Sequence, residues 1–569
     1  MVKKSGLEKV VLKHSLVNAT QHDGKADTKA VLGKVISEYP DLKKNIKEVI
    51  EVVQAAVEKV NSMQLAEQEK KLKKFKIKPK KKVVGKRELP PLPKAVKGKV
   101  VMRLAPYPSG PLHIGNARMV VLNDEYVKRY GGKLIFVYDD TIGSKEKFVV
   151  PEGYDLIKEG LDWLGVEYDE IKYKSDRMQL FYEYAEKMIR KGLAYVCLCP
   201  TEELRKNRRE GVACMHRGHS VEDNLKFWKM MLDGKYKEGE ASVRLKTDMK
   251  HPNPAFRDRV LLRISNRRHP RVGDKYHVWP MLEFSWAVDD YELGVTHILR
   301  GKDLVMEDMM EIYIWEKLGV PKERVPVFLH YGMLKLKEAK LSKSKARAAI
   351  EAGTLSGWDD PRTWSLQSLR KRGITPQAVR NFIIHMGMSL ADVSVPAEIL
   401  YAENRKIIDP IANRYFAVLD PMKISIESTK EASKKLLTKK VTTAPLHPDF
   451  PKRGSRQIPI KLDEIYVEKA DYKKFKGKEV GLMNLFSVRL GSRAEFLSDK
   501  IKMESPKIHW VSESNVKIKI LMPDGDVIEA LAEPEIENTK TDDIIQLVRV
   551  GFCRVEKEGK HTVLYFAHK

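Results

Sequence analysis

The apolar positions in the first part of the chain follow the period of an α-helix. From Ile46 onward they fall at Val49, Ile50, Val53, Val57 and Val60. Spacings of three and four residues place these side chains on one face of a helix. The pattern predicts a helical N-terminal extension over residues 1–69, whose apolar face packs against a neighbouring helix or a partner protein.

A strand–helix–strand pattern begins near residue 98. Val100–Leu104 is a short apolar run that ends in a turn rich in Pro and Gly, and residues 114–130 have a helical period up to Gly131-Gly132. Leu134–Tyr138 is the next apolar run. This order is typical of the first unit of a doubly wound parallel sheet that binds nucleotides.

The same sheet is predicted to resume much later in the chain. Gly294–Arg300 has the composition of a buried strand, and Met306–Leu318 has that of a helix behind it. Because consecutive units of such a sheet normally follow each other closely, we expect an insertion between its two halves.

Beyond a predicted helix over Pro376–Met386, the pattern becomes that of β-strands. Val516–Ile520 alternates apolar and basic residues, and Ile458–Leu462 and Thr562–Phe566 are similar runs. Pro523-Asp524-Gly525 supplies a turn. One or two antiparallel barrels fit this pattern best.

Together the patterns predict a multidomain α/β protein. Its parts are a helical N-terminal extension, a Rossmann-like parallel-sheet domain with an insertion, a helical connector and C-terminal antiparallel β-barrels. The predicted limits are 1–69 for the extension, 70–97 for a basic linker, 98–170 and 282–332 for the halves of the sheet domain, 171–281 for the insertion, 333–406 for the connector and 407–569 for the barrels.

Charge narrows the class of partner. The 569 residues include 105 Lys and Arg against 78 Asp and Glu, a formal net charge of +27. A field of this sign attracts polyanions, and nucleic acid above all. Between Lys70 and Lys99 there are 14 basic residues and one acidic residue, Glu88. This linker is either a solvated tether or a second contact with a phosphate backbone.

Cysteine content and hydropathy disfavour two classes of protein, secreted disulfide-rich proteins and membrane-spanning proteins. The four cysteines are too few for the disulfide framework of a secreted protein. The N-terminus has no apolar core of signal-peptide length, and no apolar run is long enough to span a bilayer. We expect a cytoplasmic protein without a membrane segment.

Pro111–Asn116 is the first candidate for phosphate chemistry. It places His113 and Gly115 where a strand turns into a helix, and the backbone N–H groups and dipole of a helix start favour phosphate. The imidazole can donate to a phosphate oxygen, and the glycine lets adenine lie against the backbone. A simple helix cap would explain the same residues.

Lys340–Ser344 is the second candidate. Two lysines on a polar, turn-like segment can place positive charge where attack on an α-phosphorus builds negative charge. A solvated basic loop is the alternative when the segment is considered alone.

In this order the two segments resemble the signatures of class I aminoacyl-tRNA synthetases. Accompanying them are Asp139-Asp140-Thr141, Trp279–Phe284, Gly294–Gly301, Gly357–Arg362 and Leu369–Ile374. From about residue 98 to the C-terminus this series resembles the archaeal type of glutamyl-tRNA synthetase, within the glutamyl/glutaminyl subgroup. The helical extension also fits that type.

The resemblance implies a ligase that uses ATP and Mg²⁺ to activate L-glutamate and transfers it to the terminal ribose of tRNA(Glu), with tRNA(Gln) as a further candidate acceptor. It assigns ATP to Pro111, His113, Gly115, Asn116, Lys340, Ser342, Lys343 and Ser344, of which His113, Gly115, Lys340 and Lys343 are catalytic. It assigns glutamate to Arg103, Asp139 and Arg300. Arginines favour a carboxylate over an amide because a guanidinium pairs with it through two parallel hydrogen bonds.

The chain departs from the family pattern around the amino-acid pocket. Tyr107 stands where the family usually has Ser or Glu, Leu282 where it has Tyr, and Val137-Tyr138 where it has Arg followed by Phe or Ile. The usual Tyr helps to bind the substrate backbone. We hypothesise that the hydroxyl of Tyr107 or Tyr138 replaces it.

Cys197, Cys199, Cys214 and His216 form a separate group. Two close pairs of sulfur and imidazole ligands suit a tetrahedral, structural Zn²⁺. The alternative is that the cysteines are ordinary core residues, as Cys553 is expected to be. Some glutamyl enzymes carry a comparable Cys-x-Cys and Cys-x-His site near the insertion that binds the tRNA acceptor end.

The barrels are expected to bind the anticodon, with Tyr415, Phe416, Phe486, Arg489 and Arg493 as candidate contacts, although most of these aromatic residues also fit a barrel core. Two rival functions remain. A glutaminyl-tRNA synthetase is disfavoured by Arg300, and a noncatalytic tRNA-binding scaffold by the intact signature segments. The N-terminal extension is a candidate site for a protein partner.

Overall fold

The computed structural model describes residues 4–21, 24–73, 75, 88–144, 147–339, 342–427, 440–559 and 561–569. Lys340, one of the predicted phosphate contacts, and residues 74 and 76–87 of the predicted basic linker lie outside these ranges. The chain divides into two compact units, Met1–Arg87 and Glu88–Lys569.

The first unit is helical. Its helices are α1 (Lys4–Gln21), α2 (Thr28–Glu38), α3 (Ile46–Asn61) and α4 (Leu65–Lys73). Val49, Val53, Val57 and Val60 of α3 are buried, which confirms the predicted apolar face. They share a core with residues of α1 and α2 such as Val11 and Val35, so this face packs within the unit.

The second unit opens with three parallel strands and two helices. They are β1 (Val101–Leu104), α5 (Ile114–Tyr130), β2 (Lys133–Tyr138), α6 (Pro151–Trp163) and β3 (Glu170–Tyr173). Strand β1 pairs with β2, and β2 with β3, all parallel. Helix α5 ends, as predicted, at Gly131, whose φ of 58° is the left-handed conformation that glycine adopts readily.

An insertion with its own antiparallel sheet follows. Its elements are α7 (Met178–Arg190), β4 (Ala194–Cys197), α8 (Thr201–Glu210), α9 (Val221–Leu232), β5 (Ser242–Leu245), β6 (Val260–Ile264) and β7 (Val278–Pro280). The four strands pair in chain order.

The parallel sheet then resumes and leads into a helical connector. The elements are α10 (Leu282–Glu292), β8 (His297–Gly301), α11 (Val305–Leu318), β9 (Val327–Tyr331), β10 (Leu334–Leu336), α12 (Lys343–Glu351), α13 (Leu366–Lys371), α14 (Pro376–Met386), β11 (Val393–Val395) and α15 (Glu398–Ile408). The N–H of Thr296 donates to the carbonyl of Val101 (2.9 Å), so β8 and its parallel partner β9 lie beside β1. This arrangement is the predicted interrupted sheet.

Three predicted boundaries need correction. Strand β8 begins at His297 instead of Gly294, because Gly294 has a φ of 66° and closes the end of α10. The predicted strand Ile458–Leu462 instead ends at Pro459, where the chain has no N–H for a ladder. Lys343 and Ser344, expected in a loop, form the first turn of α12.

The C-terminal part is almost entirely β-structure. Its elements are β12 (Asn413–Tyr415), β13 (Ala417–Val418), β14 (Pro421–Glu427), β15 (Val441–Pro445), β16 (Ser455–Pro459), β17 (Ile465–Glu468), α16 (Lys469–Phe475), β18 (Glu479–Leu482), β19 (Ser487–Arg489), β20 (Arg493–Ser498), β21 (Lys507–Ile508), β22 (Trp510–Ser512), β23 (Val516–Leu521), β24 (Val527–Ala532), β25 (Ile544–Leu547), β26 (Gly551–Glu558) and β27 (His561–His568).

These strands form two seven-stranded sheets and one hairpin. Each large sheet encloses its own apolar core, one around Trp510 and one around Ile520. The sheets are mainly antiparallel, but four pairs are parallel, namely β12 with β25, β14 with β20, β18 with β21 and β23 with β27. The predicted multidomain α/β fold with β-rich C-terminal domains is therefore confirmed. Among the described residues, no helix is both long and apolar enough to cross a bilayer.

Candidate active site and metal centre

His113 is the N-cap of α5, and its ring is held in one tautomer. Nδ1 accepts a hydrogen bond from the N–H of Asn116 (3.3 Å), and the Asn116 side chain accepts from the N–H of His113 (3.3 Å). Burial, reinforced by the charge of Lys343, lowers the pKa of His113 to about 4. The neutral ring therefore carries its proton on Nε2, which makes that atom a hydrogen-bond donor. The cap and the phosphate contact are compatible roles.

The rest of the first signature segment is anchored from behind. Ile114 N–H donates to the carbonyl of Trp364 (3.2 Å), and Leu366 N–H donates to that of Leu112 (2.8 Å). Gly115 and Asn116 are half-buried in the first turn of α5, and Pro111 is buried just before it. The start of α5 is thus held by contacts within the chain before any ligand binds.

The second signature segment contacts the turn before His113. Ser342 caps α12, and Lys343 Nζ donates to the carbonyl of Gly110 (3.3 Å). One turn further along, Arg347 Nη2 donates to the carbonyl of Ser109 (2.9 Å). The structure therefore brings Lys343 and His113 into one site, as the order of the motifs predicts.

Several cations crowd this site. Burial, together with repulsion from Arg347 and Lys147, lowers the pKa of Lys343 to about 8. Arg347 Nε is buried without a hydrogen-bond partner among the described residues. Crowded cations of this kind favour a multiply charged anion. Sequence reasoning missed Lys147 and Arg347, because neither lies in a signature.

Arg103 forms a bidentate pair with a buried carboxylate. Its Nε and Nη2 donate to the two oxygens of Asp290 (2.7 and 2.9 Å). Its guanidinium carbon lies 4.8 Å from the centre of the Trp286 ring. This geometry leaves Nη1 available to a further carboxylate.

Asp139 has a partner that the sequence did not indicate. Lys174 Nζ lies 3.0 Å from Asp139 Oδ1 and donates to Ser285 Oγ (2.7 Å), and the lysine is completely buried. The carboxylate predicted to receive the substrate ammonium is thus already beside an ammonium group.

Arg300 is surrounded by carboxylates of the chain itself. Its Nε donates to Asp308 Oδ1 (2.7 Å) and its Nη1 to Glu311 Oε1 (2.9 Å). His330 Nε2 lies 2.5 Å from the other oxygen of Asp308. The guanidinium carbon of Arg300 is 4.8 Å from the Trp286 ring, as is that of Arg103. The two predicted glutamate-binding arginines therefore meet at one tryptophan.

The two tyrosines proposed to replace the missing family tyrosine differ. The Tyr138 hydroxyl donates to the carbonyl of Tyr154 (2.7 Å), and its ring stacks on that of Tyr173. The Tyr107 hydroxyl is buried without a partner among the described residues, and burial raises its pKa. Tyr107 is the better candidate because its hydroxyl is uncommitted.

The cysteine group is closely assembled. The potential ligand atoms of Cys197, Cys199, Cys214 and His216 all lie within 4.8 Å of one another. Sγ of Cys197 is 3.8 Å from Sγ of Cys214, and Sγ of Cys199 is 3.4 Å from Nδ1 of His216. A tetrahedral zinc with Zn–S bonds of about 2.3 Å has ligand–ligand edges of about 3.8 Å. The four residues therefore fit a zinc ion.

A buried arginine supports the same interpretation. Arg244 Nη1 lies 3.6 Å from Sγ of Cys197 and 3.8 Å from Sγ of Cys214. Three thiolates and one Zn²⁺ carry a net charge of −1, which a guanidinium in contact with the sulfurs balances. Cys553, by contrast, is fully buried in the second C-terminal core.

The candidate anticodon contacts divide into two groups. Tyr415, Phe416 and Phe486 are buried in the C-terminal cores, whereas Arg489 and Arg493 are exposed. A cavity of about 580 Å³ opens nearby. Its polar lining includes Arg414, Asn484, Gln546 and Arg549, residues that the sequence did not single out.

Comparison with known proteins identifies the family. The catalytic-domain model of the "tRNA synthetases class I (E and Q)" matches residues 99–410, and two anti-codon binding domain models of that group match 412–503 and 507–556. "Glutamate--tRNA ligase" of Thermococcus kodakarensis is 45% identical over 99% of this chain and 100% of its own length. The proteins of the same name from Pyrococcus furiosus and Methanocaldococcus jannaschii are 44% and 43% identical with the same coverage.

A glutamate tRNA ligase of Elizabethkingia meningosepticum, a solved structure, is more distant. It is 20% identical over 55% of this chain and 70% of its own, with a TM-score of 0.40. The full-length matches and the catalytic-domain match decide the assignment. The chain belongs to the class I tRNA synthetases of the glutamate and glutamine group.

Proposed function

We propose that this protein is a glutamate–tRNA ligase. The α-carboxylate of L-glutamate attacks the α-phosphorus of ATP, and the bond to the β-phosphate breaks to release pyrophosphate. A hydroxyl of the terminal tRNA ribose then attacks the activated carbonyl, loses its proton and displaces AMP. The observation that carries the proposal is the contact of Lys343 with the Gly110 carbonyl, which joins both signature segments in one site.

The residues around Gly110 support adenylation. His113 Nε2–H is suited to a phosphate oxygen, and the dipole at the start of α5 favours an anion there. Lys343, with Lys340 from the same signature, stabilises the charge that grows on the phosphates in the transition state. ATP enters as its magnesium complex, in which the metal ion neutralises part of the phosphate charge. No general base is required, because positioning and charge suffice for this substitution.

Arg103 and Asp139 support glutamate binding. The free Nη1 of Arg103 is suited to the side-chain carboxylate of glutamate. Asp139 is suited to the α-ammonium group of the substrate, which would share this carboxylate with Lys174. The unpartnered Tyr107 hydroxyl is suited to the substrate backbone.

The remaining domains support tRNA(Glu) as acceptor. The insertion between β3 and α10 would hold the acceptor end, and the cavity lined by Arg414 and Gln546 has the mixed donors and acceptors that read an unstacked base. The net charge of +27 favours the phosphate backbone. We extend the proposal to tRNA(Gln) as a second acceptor.

Aminoacylation assays test the proposal directly. The purified full chain, with ATP and Mg²⁺, should charge tRNA(Glu) with glutamate and should exchange pyrophosphate into ATP only when tRNA is present. Parallel reactions with glutamine and with tRNA(Gln) separate the alternatives. Charging with glutamine alone would identify a glutaminyl-tRNA synthetase, and tRNA binding without exchange would identify a noncatalytic scaffold.

We also propose that Cys197, Cys199, Cys214 and His216 hold one structural zinc ion in the insertion. A closed set of four protein ligands leaves no position for substrate, so the ion would stabilise the fold of the β4 region and take no part in the reaction.

Metal analysis is expected to find one zinc ion per chain. Cys214→Ala should lose this ion and lower the midpoint of thermal unfolding, because the remaining ligands leave the coordination sphere incomplete. Cys553→Ala is the matched control, since it removes a buried cysteine that belongs to no metal-ligand group among the described residues, and it should retain the zinc. A wild-type protein without zinc after reconstitution would contradict the proposal.

A further inference from the structure

We infer that Glu311 sets the choice between glutamate and glutamine, through a buried carboxyl group that faces the end of the substrate side chain. The inference rests on the proposed function and goes beyond it, because it assigns specificity to a residue outside both signature segments and outside the predicted pocket.

Glu311 contacts one arginine of the pocket and lies near the other. It is fully buried on α11, and its Oε1 accepts from Arg300 Nη1 (2.9 Å). Arg103 on β1 is close enough for each group to influence the other's charge. Its second oxygen, Oε2, has no hydrogen-bond partner among the described residues. An unpaired buried oxygen on a carboxyl group that already contacts Arg300 marks a place where a ligand can complete the hydrogen bonding.

The charges around Glu311 do not balance if it is ionised. Arg300 on β8, Arg103 on β1 and Lys174 face four carboxyl groups, which are Glu311 itself, Asp308 on α11, Asp290 on α10 and Asp139. His330 on β9 contacts Asp308 from the other side. Asp290 accepts hydrogen bonds from Nε and Nη2 of Arg103, and Asp308 accepts one from Nε of Arg300. Glu311 therefore shares the guanidinium group of Arg300 with Asp308.

The acid form is consequently the stable one near neutral pH. Burial is the largest cause and Asp290 adds to it, so that the pKa of Glu311 rises to about 8 despite the opposing charges of Arg300 and Arg103. Because Oε1 already accepts from Arg300, the proton belongs on Oε2, which then becomes a donor.

A protonated Glu311 makes the pocket a set of donors. Arg103 Nη1 and Glu311 Oε2–H would both point hydrogens at the substrate terminus. A carboxylate accepts at both oxygens, whereas the amide of glutamine brings an NH₂ group that no donor can satisfy. Loss of the Glu311 proton reverses this preference, since the new carboxylate repels glutamate and accepts from the amide.

The selectivity for glutamate should therefore fall as pH rises. The quantity to measure is the ratio of inhibition constants of glutaminyl- and glutamyl-sulfamoyl-adenosine, from pH 6.5 to 9. Effects of the α-amino group and of Lys343 are common to both inhibitors and cancel in the ratio. We expect the ratio to fall about tenfold between pH 7 and 9, because about one tenth of the acid form remains one unit above its pKa.

Glu311→Gln tests the role of the proton. The amide is nearly the same size, cannot ionise and places an NH₂ donor where the acid O–H stood. This variant should keep its preference for the glutamyl inhibitor at every pH and show a flat ratio. Glu316→Gln makes the same substitution at an exposed position on the same helix and should retain the wild-type slope.

The outcomes separate the two proposals. A wild-type ratio that is flat with pH, or a Glu311→Gln ratio that still falls like the wild type, overturns the assignment of Glu311. A wild-type protein that binds neither inhibitor and does not activate glutamate overturns the proposed function itself. Unchanged ATP affinity and thermal unfolding in Glu311→Gln would show that the variant remains folded.

Discussion

Replacing Lys343 with alanine should slow tRNA-dependent pyrophosphate exchange by about 10²–10³-fold, the cost of removing one preorganised donor from a developing negative charge. The ammonium group lies against the Gly110 carbonyl in the same site as His113. It would leave that carbonyl for the phosphates once ATP binds. Glutamate-dependent exchange at saturating ATP measures the effect on the chemical step.

The pH dependence of kcat/KM for ATP distinguishes the effect of the Lys343 charge from the effect of its packing. Because the pKa of Lys343 is lowered to about 8 in the free protein, the ammonium form is lost as pH rises through that value, and kcat/KM for ATP should fall with it. Lys343→Arg keeps its charge at every pH in the range, so this particular decline should disappear.

Lys345 provides the matched control. It is an exposed lysine in the same first turn of α12, and Lys345→Ala should leave the exchange rate within about twofold of wild type, as expected for a solvated cation. An Lys343→Ala enzyme that exchanges pyrophosphate at the wild-type rate would remove Lys343 from the catalytic machinery.

The sequence predicted the structure best where a short pattern of residues is compatible with only one local conformation. His113 with Asn116, and the closing glycine of α5, follow from capping rules that involve neighbouring residues only. The alternating run at β23 likewise predicts a strand without knowledge of its partners. For the same reason the family signatures, which are short and local, could be placed before the fold was known.

The charged partners of the pocket could not be predicted in this way. Lys174 is close to Asp139, and Asp290 to Arg103, only because strands and helices far apart in sequence pack together. The sequence contains one weak indication of Asp308 and Glu311, because two acidic residues one turn apart interrupt the apolar face of a helix. Buried charges need partners, but the sequence alone does not say which.

The helical start of α12 illustrates a second limit. Lys343 and Ser344 are polar and have no apolar period, so the pattern favours a loop. In the structure the side chain of Ser342 caps the helix, and the contacts of Lys343 and Arg347 with Gly110 and Ser109 hold it in place. Tertiary contacts therefore decide the conformation of this segment.

Asp290→Ala should lower the free energy of unfolding by about 3–5 kcal/mol, the usual cost of leaving one member of a buried ion pair without its partner. Arg103 is 7% exposed and Asp290 is completely buried, so water cannot replace the lost carboxylate. Urea-induced unfolding, followed at tryptophan, measures the change. Asp274→Ala is the control, because the Asp274–Arg268 pair is 4.0 Å apart and largely exposed, and its loss should cost at most about 0.5 kcal/mol.

A double variant then separates stability from function. Replacing both members with apolar residues of similar size, Arg103→Met with Asp290→Leu, removes the uncompensated charge and should recover most of the lost stability. The double variant should nevertheless fail to activate glutamate, because it lacks Nη1 of Arg103. If the double variant were stable and still activated glutamate with an unchanged KM, Arg103 would serve the fold alone, and another group would have to bind the side-chain carboxylate. Stability that returns without activity is the result expected of an arginine held by Asp290 in order to meet the substrate.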